Sequence, residues 1–439
     1  MFIRESDKKV RFSMLLQNRE NNSIKTKDIL LVGIENDGRK IEWLNLGYLY
    51  SYLKDKGISS DVITGKETDL DIIKAIQIYN YKVIGFSLLQ NNFLQTLNLC
   101  NKIRETSQTI KIVLGNSESN VYSEWILDNY KSIDVIIMGE GEISFYNVCK
   151  AIINNEPVNN ILGIYYREKN TYIRTPPQPL IKNLDELPFP NRDVIYTDNN
   201  IHHLLGSRGC DGFCSFCESD LIFRTNNKNR NVRQRSVENI IDEVCYFIEK
   251  NSFTYFVFED RTFICNSDHP IDRLRKMKSL LSTKKLNIQF SFYVRAEQIT
   301  NEYCEALFSL KETGLDSIFI GIESGSEEDL KLFNKIARLN DNQKAINILR
   351  TYGVLDGSGG ISLNFGLIPF HPYSSYNSIR QTLLFLQQNQ LLLVNNYGEI
   401  INKMMISGTT PITQKLRRDG LLINLDKCPI IDPYLLVLA

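Results

Sequence analysis

The feature that most constrains the fold is an alternation of short apolar runs with segments of helical periodicity. In the first part of the chain, ILLVGI (29–34) and KVIGFSLL (82–89) have the length and β-branched content of strands buried on both faces. WLNLGYLYSYLKDKG (43–57) and LDIIKAIQIYN (70–80) have the spacing of amphipathic helices. About five such alternations within ~130 residues predict an α/β domain at residues 27–157, with a doubly wound, Rossmann-like parallel sheet.

A second alternation begins after a proline-rich segment. Five prolines fall between residues 176 and 190, and proline at that density cannot continue helices or central strands. Residues 158–200 are therefore predicted to connect two domains, and they include a strand pair, ILGIYYRE and TYIRTPP. Further strands are predicted at 202–207, 253–259, 287–294, 316–322, 361–367 and 399–406. Six βα units predict a (βα)6 partial TIM barrel over residues 201–425, because parallel strands need helical crossovers. Residues 1–26 are predicted as an arm and 426–439 as a tail.

Composition and charge exclude several classes of function. Lys+Arg and Asp+Glu both number 51, a balance that does not favour a polyanionic partner such as nucleic acid. No apolar run reaches the ~18 residues that span a bilayer, and the start has no signal-peptide core. We therefore expect a cytoplasmic protein without a membrane partner, in which nine cysteines do not form a disulfide framework.

Three of the cysteines, Cys210, Cys214 and Cys217, lie on one glycine-containing loop after the first predicted barrel strand. Their spacing lets three thiolates wrap a [4Fe–4S] cubane, and a cluster that normally takes four thiolates then keeps one iron open. A zinc site would show paired CxxC elements or a nearby histidine. His202 and His203 are near in sequence, but on a strand they point to opposite faces. The sequence therefore predicts an iron–sulfur cluster at the catalytic end of the barrel.

CxxxCxxC with Phe216 before the last cysteine resembles the motif of the radical S-adenosylmethionine (SAM) superfamily. Over about residues 28–425, the chain is similar to the branch with an N-terminal cobalamin-binding domain. The supporting stretches are LGYLYSYLKDKG, VLGN, IIMGEGE, LDELPFPNRD, FVFEDRTF, GIESGS and ISGTTPITQKLRRDGLL. The resemblance implies that SAM binds the open iron and is cleaved to a 5′-deoxyadenosyl radical, which abstracts hydrogen from a small-molecule or natural-product substrate. It also implies a reducing partner such as flavodoxin or ferredoxin.

The resemblance further implies SAM contacts at the ends of successive barrel strands. They are Phe216 and the backbones of Gly366 and Leu367 near the adenine, Glu259 or else Asp260 at the ammonium, and Arg295 and Glu323 at the carboxylate or ribose. The alternative for each charged residue is a surface salt bridge. The turn after the fifth strand departs from the GLPGET of relatives and contains His371. This histidine is predicted either as a substrate-facing acid or base or as a solvated loop residue.

The N-terminal sheet decides the reaction. Its predicted cobalamin contacts are Ser87, Gly115, Asn116, Ser117, Gly139, Glu140 and Gly141. Cobalamin domains of the mutase type use a DxHxxG motif, whose histidine replaces the lower axial base of cobalamin. No histidine precedes His202, so this domain cannot bind cobalamin in that way. With cobalamin bound, the favoured expectation, the reaction is methylation. A sheet that has lost cobalamin leaves dehydration, epimerisation or rearrangement, and a non-catalytic electron-transfer protein is the third alternative.

Overall fold

The structure is a computed structural model of the chain. It describes residues 28–35, 41–65, 69–195, 201–218, 232–249, 254–261, 263–264, 270–393, 401–408 and 410–422. The predicted arm and tail (1–26 and 426–439) lie outside these ranges. Within the ranges, no helix combines the length and the apolar character that crossing a membrane requires.

The first domain is a seven-stranded sheet in the order 2-1-3-4-5-6-7. Its strands are β1 (Ile29–Ile34), β2 (Ser60–Gly65), β3 (Val83–Ser87), β4 (Lys111–Gly115), β5 (Val135–Ile137), β6 (Ile164–Glu168) and β7 (Thr171–Arg174). Its helices are α1 (Leu44–Asp55), α2 (Asp69–Tyr79), α3 (Phe93–Thr106), α4 (Ser117–Val121), α5 (Ser123–Asn129) and α6 (Gly141–Ile153). Strands β1 to β5 are parallel, and the doubly wound prediction is confirmed. The strand pair predicted in the connecting segment extends this sheet: β6 pairs antiparallel with β5 and buries Ile164 and Tyr165, and β7 pairs antiparallel with β6.

Alternate side chains of the sheet bury against helices on both faces. Leu30, Val32 and Ile84 lie in one apolar cluster, whereas Leu31 and Val83 lie in the other. This double burial explains why β1 and β3 read as continuous apolar runs.

The second domain contains five parallel strands that follow one another in chain order. They are β8 (Ile201–Leu204), β11 (Thr254–Phe258), β12 (Ile288–Arg295), β13 (Leu315–Glu323) and β14 (Ser362–Leu367), while β9 (Ser207–Arg208) and β10 (Arg233–Gln234) form a small antiparallel pair. The helices are α7 (Val237–Ile248), α8 (Pro270–Lys284), α9 (Asn301–Phe308), α10 (Glu327–Leu332), α11 (Leu339–Thr351), α12 (Tyr376–Gln388) and α13 (Pro411–Arg418). The sixth strand, predicted at 399–406, is not a strand in its described part (401–406), where one parallel bridge joins Phe370 and Lys403.

The connecting segment is fastened to both domains by Arg192. Its guanidinium donates to Glu42 Oε1 at 3.1 Å in the first domain and to Glu243 Oε1 at 2.7 Å on α7. A third bond joins it to the carbonyl oxygen of His203 at 2.5 Å. The side chains of Arg192, Glu42 and Glu243 are at most 5% exposed, so this network is a buried joint between the two sheets.

Candidate active site

The cysteine loop leaves β9 through Gly209, whose φ of +94° is a left-handed conformation that glycine adopts without strain. Gly212 N–H donates to Cys210 Sγ at 3.3 Å. A Cβ atom at Gly212 would lie 3.4 Å from Cys210 Sγ and 3.9 Å from Cys214 Sγ. The space between these two sulfurs is therefore open because residue 212 is glycine.

The thiols of Cys210 and Cys214 are affected by burial and by the thiols near them. Burial is the main cause that raises the pKa of Cys210 and of Cys214, the latter to about 12, and the neighbouring thiols raise both further. No three His, Cys, Asp or Glu side chains in the described ranges converge as ligands of a single metal ion would. Cubane ligands need not converge in this way, because each thiolate takes a different iron. Three mutually close thiols around an open space thus fit a [4Fe–4S] cluster.

Arg295 supports this loop from the end of β12. Its guanidinium makes a two-pronged contact with Asp211, one prong at 3.2 Å, and its Nε lies 3.0 Å from Glu297 Oε1. These carboxylates raise the pKa of Arg295 although burial alone would lower it. Arg295 is the last residue of β12, and its side chain contacts Asp211 of the cluster loop.

Phe216, on the same loop, packs edge-on against Phe333, with 5.6 Å between ring centroids. The apolar cluster around it includes Ile368, Met404 and Ile412.

The two acids after β11 have different environments. Glu259 Oε1 lies 2.6 Å from His203 Nδ1, and both side chains are more than a third exposed. Glu259 raises the pKa of His203, against the opposite effect of burial. Asp260 is buried and accepts from Gly206 N–H at 2.8 Å, and burial raises its pKa to about 6. Glu259 is thus available to a ligand, whereas Asp260 fastens the backbone before the cluster loop.

Glu323 ends β13 at a register shift, with a left-handed φ of +63° that a non-glycine residue rarely adopts. Its Oε1 lies 3.3 Å from Lys335 Nζ. A Cβ atom at Gly366 would lie 3.5 Å from Glu323 Oε2, so Gly366 leaves room for this carboxylate. Leu367 is 1% exposed, and its carbonyl oxygen accepts from Asn402 at 3.1 Å.

Successive side chains of the barrel strands point alternately outward, where apolar side chains are buried under the helices, and inward, where the side chains are half-buried. Phe256, Phe292 and Ile320 belong to the core beneath the helices. Side chains of opposite parity are only partly buried and point to the other face. They include His203, Tyr255, Tyr293, Phe319 and Asn364, with Tyr293 and Phe319 in ring contact at 5.2 Å. The inner face of the barrel is therefore aromatic and polar, suited to binding a ligand.

A cleft of about 380 Å³ lies between the strand ends of the first sheet and the start of the cysteine loop. Of the predicted cobalamin contacts, it brings together Ser87, Gly115, Asn116, Gly139, Glu140 and Gly141; Ser117 begins α4 beside them. Ser87 Oγ accepts from Asn45 at 2.7 Å and from Asn116 at 2.9 Å. A Cβ atom at Gly115 or Gly139 would meet no atom within 4 Å. These glycines leave room for a bulky group to approach the backbone, which fits a corrin.

Glu140 also joins the two domains. Its carboxylate accepts from Arg208 at 3.1 Å and from Arg233 at 2.8 Å, and it is 6% exposed. Arg208 bonds Glu142 as well, at 2.5 Å. Burial raises the pKa of Glu140, but the two arginines lower it on balance. The predicted cobalamin turn is thus ion-paired with residues of β9 and β10.

His371 is buried, so it is not the solvated loop residue that one of its two predictions described. Its side chain is 0% exposed, its Nε2 lies 3.1 Å from Asp329 Oδ1, and its ring packs on Phe333 at 5.0 Å. Phe333 and Asp329 enclose the ring, so it supports the aromatic contact beneath Phe216.

Sequence reasoning missed several residues of the site. Asn45, Arg208 and Arg261 line the cleft, and His203 pairs with Glu259. Two of them carried a local signal, because Arg208 lies within GSRGC beside the first cysteine and Arg261 lies within the stretch FVFEDRTF.

Two family models match the chain: the B12 binding domain at residues 31–148 and the Radical SAM superfamily at residues 204–386. An uncharacterized methyltransferase of Pyrococcus horikoshii is 26% identical over 320 residues, covering 71% of this chain and 67% of that protein. The 4′-phospho-dehydrooxetanocin synthase of Priestia megaterium is 24% identical over 399 residues, covering 82% of this chain and 51% of that protein.

Two solved structures share the fold. The cobalamin-dependent S-adenosylmethionine radical enzyme OxsB, with aqua-cobalamin and SAM bound, aligns with a TM-score of 0.73 at 20% identity, over 91% of this chain and 62% of that chain. The radical SAM methyltransferase TsrM from Kitasatospora setae aligns with a TM-score of 0.67 at 15% identity, over 83% and 72%. The chain therefore spans about two thirds of the length of these structures.

The two family models together match more than half of the chain, in the order of its sheet and its barrel. They imply a [4Fe–4S] cluster, SAM and cobalamin as cofactors, and the thiol loop and the glycine-lined cleft fit the cluster and the corrin. The chain belongs to the radical SAM enzymes that carry an N-terminal B12-binding domain.

Proposed function

We propose that this chain is a cobalamin-dependent methyltransferase that acts on a small-molecule or natural-product substrate through radical SAM chemistry. The observation that carries the proposal is the shared cleft. Gly115 and Gly139 line one side of it, and Arg208 and Gly209, which lead into Cys210, line the other. A methyl donor held on the sheet would face the cluster loop across this cleft.

When bound, the cluster and SAM supply hydrogen-atom abstraction, and cobalamin supplies a transferable methyl group. The protein's part is to bind, orient and exclude water. Cys210, Cys214 and Cys217 would hold the cluster, and the Arg208–Glu142 pair fixes the separation of the two cofactor loops. The inner barrel face, with Tyr293 and Phe319, would hold the substrate.

A radical elimination or rearrangement is a second candidate, favoured by the His203–Glu259 pair. Methyl transfer to carbon needs no residue that moves a proton, whereas loss of water must protonate a hydroxyl group. His203 lies on the inner face of the barrel with its Nδ1 held by Glu259 at 2.6 Å. A histidine oriented by a carboxylate can deliver a proton near neutral pH.

The deciding experiment is anaerobic reconstitution of the full chain with iron and sulfide, with and without hydroxocobalamin. Methyl transfer predicts a bound-corrin spectrum and formation of S-adenosylhomocysteine only when cobalamin is supplied. Release of 5′-deoxyadenosine without bound corrin and without S-adenosylhomocysteine would refute methyl transfer and favour the second candidate. The cluster can be reduced chemically with dithionite, and reduced flavodoxin or ferredoxin should be able to serve as the electron donor in its place.

Cys214→Ala should abolish both the cluster and SAM cleavage. Cys245→Ala is the matched control, because this partly buried cysteine lies on α7, away from the loop. Retained SAM cleavage in Cys214→Ala would contradict the cluster assignment.

A further inference from the structure

The cluster loop rests on a segment that no motif identifies. This segment, residues 332–335, ends α10 and lies more than one hundred positions from the loop. The three bonds that join them are Ser215 N–H to Phe333 O at 2.7 Å, Ser215 Oγ to Leu332 O at 2.8 Å, and Asn334 Nδ2 to Phe213 O at 2.8 Å. The loop around Cys214 is therefore held by two backbone carbonyl groups and one side-chain amide of segment 332–335.

Lys335 ends this segment with a buried ammonium group. Asn334 has a left-handed φ of +51°, and Lys335 N–H donates back to Leu330 O at 3.1 Å. The Lys335 side chain is 7% exposed, and its Nζ lies 3.3 Å from Glu323 Oε1. A Cβ atom at Gly321 would lie 3.2 Å from the same Nζ. The cation is thus confined between β13 and the cluster loop.

The charge of Lys335 reaches the cysteine. Burial raises the pKa of Cys214, the Lys335 ammonium lowers it, and the Glu323 carboxylate raises it by less than Lys335 lowers it. Lys335 lies two residues after Phe333, whose carbonyl oxygen accepts from Ser215 N–H, so the backbone contacts place Lys335 next to the loop that carries Cys214. Arg295, which also contacts the cluster loop, is held by two carboxylates, Asp211 and Glu297.

We propose that Lys335 is a positioning residue that tunes the cluster, its buried ammonium beside Cys214 making the cluster easier to reduce. The inference rests on the proposed cluster at Cys210, Cys214 and Cys217. Reduction adds one negative charge to a group already held by three thiolates. A nearby cation stabilises that added charge most where water is excluded.

The test is a redox titration of the reconstituted full chain, followed by electron paramagnetic resonance without SAM or cobalamin. Lys335→Met should shift the midpoint potential to a more negative value, and Glu323→Gln, which removes the opposing carboxylate, should shift it to a more positive value. Lys335→Arg keeps the charge and should restore the original potential. Lys331→Met is the matched control on α10, since Lys331 is 67% exposed, and it should leave the potential unchanged.

Shifts of the midpoint potential in the same direction for Lys335→Met and Glu323→Gln would overturn the proposal. Removing a positive charge and removing a negative charge should shift the potential in opposite directions, whereas a general loss of packing has no reason to do so. An unchanged potential in Lys335→Met at full iron content would also overturn it. If Lys335→Met fails to assemble a cluster, Glu323→Gln decides, and the absence of a positive shift counts against the proposal. Failure of the unaltered protein to assemble any cluster would instead refute the proposed function.

Discussion

Replacing Arg192 by methionine would test whether the buried joint between the domains stabilises the protein. The substitution removes the guanidinium that joins Glu42 to Glu243 and leaves both carboxylates buried. Breaking a buried ion pair by removing one partner costs about 3–5 kcal/mol. Arg235 still pairs with Glu243, and His202 still bonds Glu42, so we expect a loss near the lower end, about 3 kcal/mol.

The loss should depend on pH. Burial raises the pKa of Glu42, but the His202 hydrogen bond and the Arg192 charge lower it on balance. A carboxyl with a lowered folded-state pKa adds stability above its unfolded pKa, about 4.3, and loses it as the pH falls through the folded-state value. The loss in the free energy of unfolding caused by Arg192→Met should therefore be largest at pH 7 and should become smaller below about pH 4.3.

Urea unfolding, monitored by circular dichroism at pH 7 and again below about pH 4.3, measures the change in the free energy of unfolding. Arg275→Met is the matched control, because Arg275 also faces two acids, Asp272 and Glu302, but at 3.5 Å and with side chains at least 58% exposed. An exposed pair of this kind contributes about 0–1 kcal/mol. The reasoning fails if Arg192→Met loses no more stability than Arg275→Met at pH 7.

Three further predictions concern the cofactor sites. Gly115→Leu places a side chain in the cleft and should weaken cobalamin binding about tenfold or more in a spectral titration, about 1.4 kcal/mol; unchanged binding would place the corrin elsewhere. Phe333→Ala should cost about 3–5 kcal/mol in urea unfolding and lower the bound iron. Phe308→Ala, whose ring stacks on a tyrosine remote from the loop, should destabilise without iron loss, and equal iron loss would contradict the role of Phe333. Asp260→Asn should raise the free energy of unfolding, measured in urea, by more at pH 7 than at pH 5. Burial raises the pKa of Asp260 from 3.8 to about 6, so its ionisation opposes folding and asparagine removes that penalty. An equal effect of the substitution at the two pH values would contradict this.

The local patterns of the chain predicted most of its strands, because a strand buried on one face has alternating apolar residues and a strand buried on both faces has a continuous apolar run. The run ILLVGI gave β1 its bounds, Ile29–Ile34. The predicted strand at 399–406 shows the limit of this signal. Met404 and Ile406 are buried against α13, at Ile412 and Leu416, so the alternation reports side-chain burial although only one bridge, at Lys403, pairs the backbone.

The cluster motif is local, but the charges around it are not. Cys210, Cys214 and Cys217 lie within one loop, so their spacing alone predicts which cofactor they can hold. Arg295, by contrast, meets Asp211 across 84 positions, and segment 332–335 reaches the loop across more than one hundred. Pairings at such distances depend on the twist and order of the strands, which no spacing in a single sequence records. Two chains with the same three cysteines can therefore bind the same cluster and still differ in how readily it is reduced.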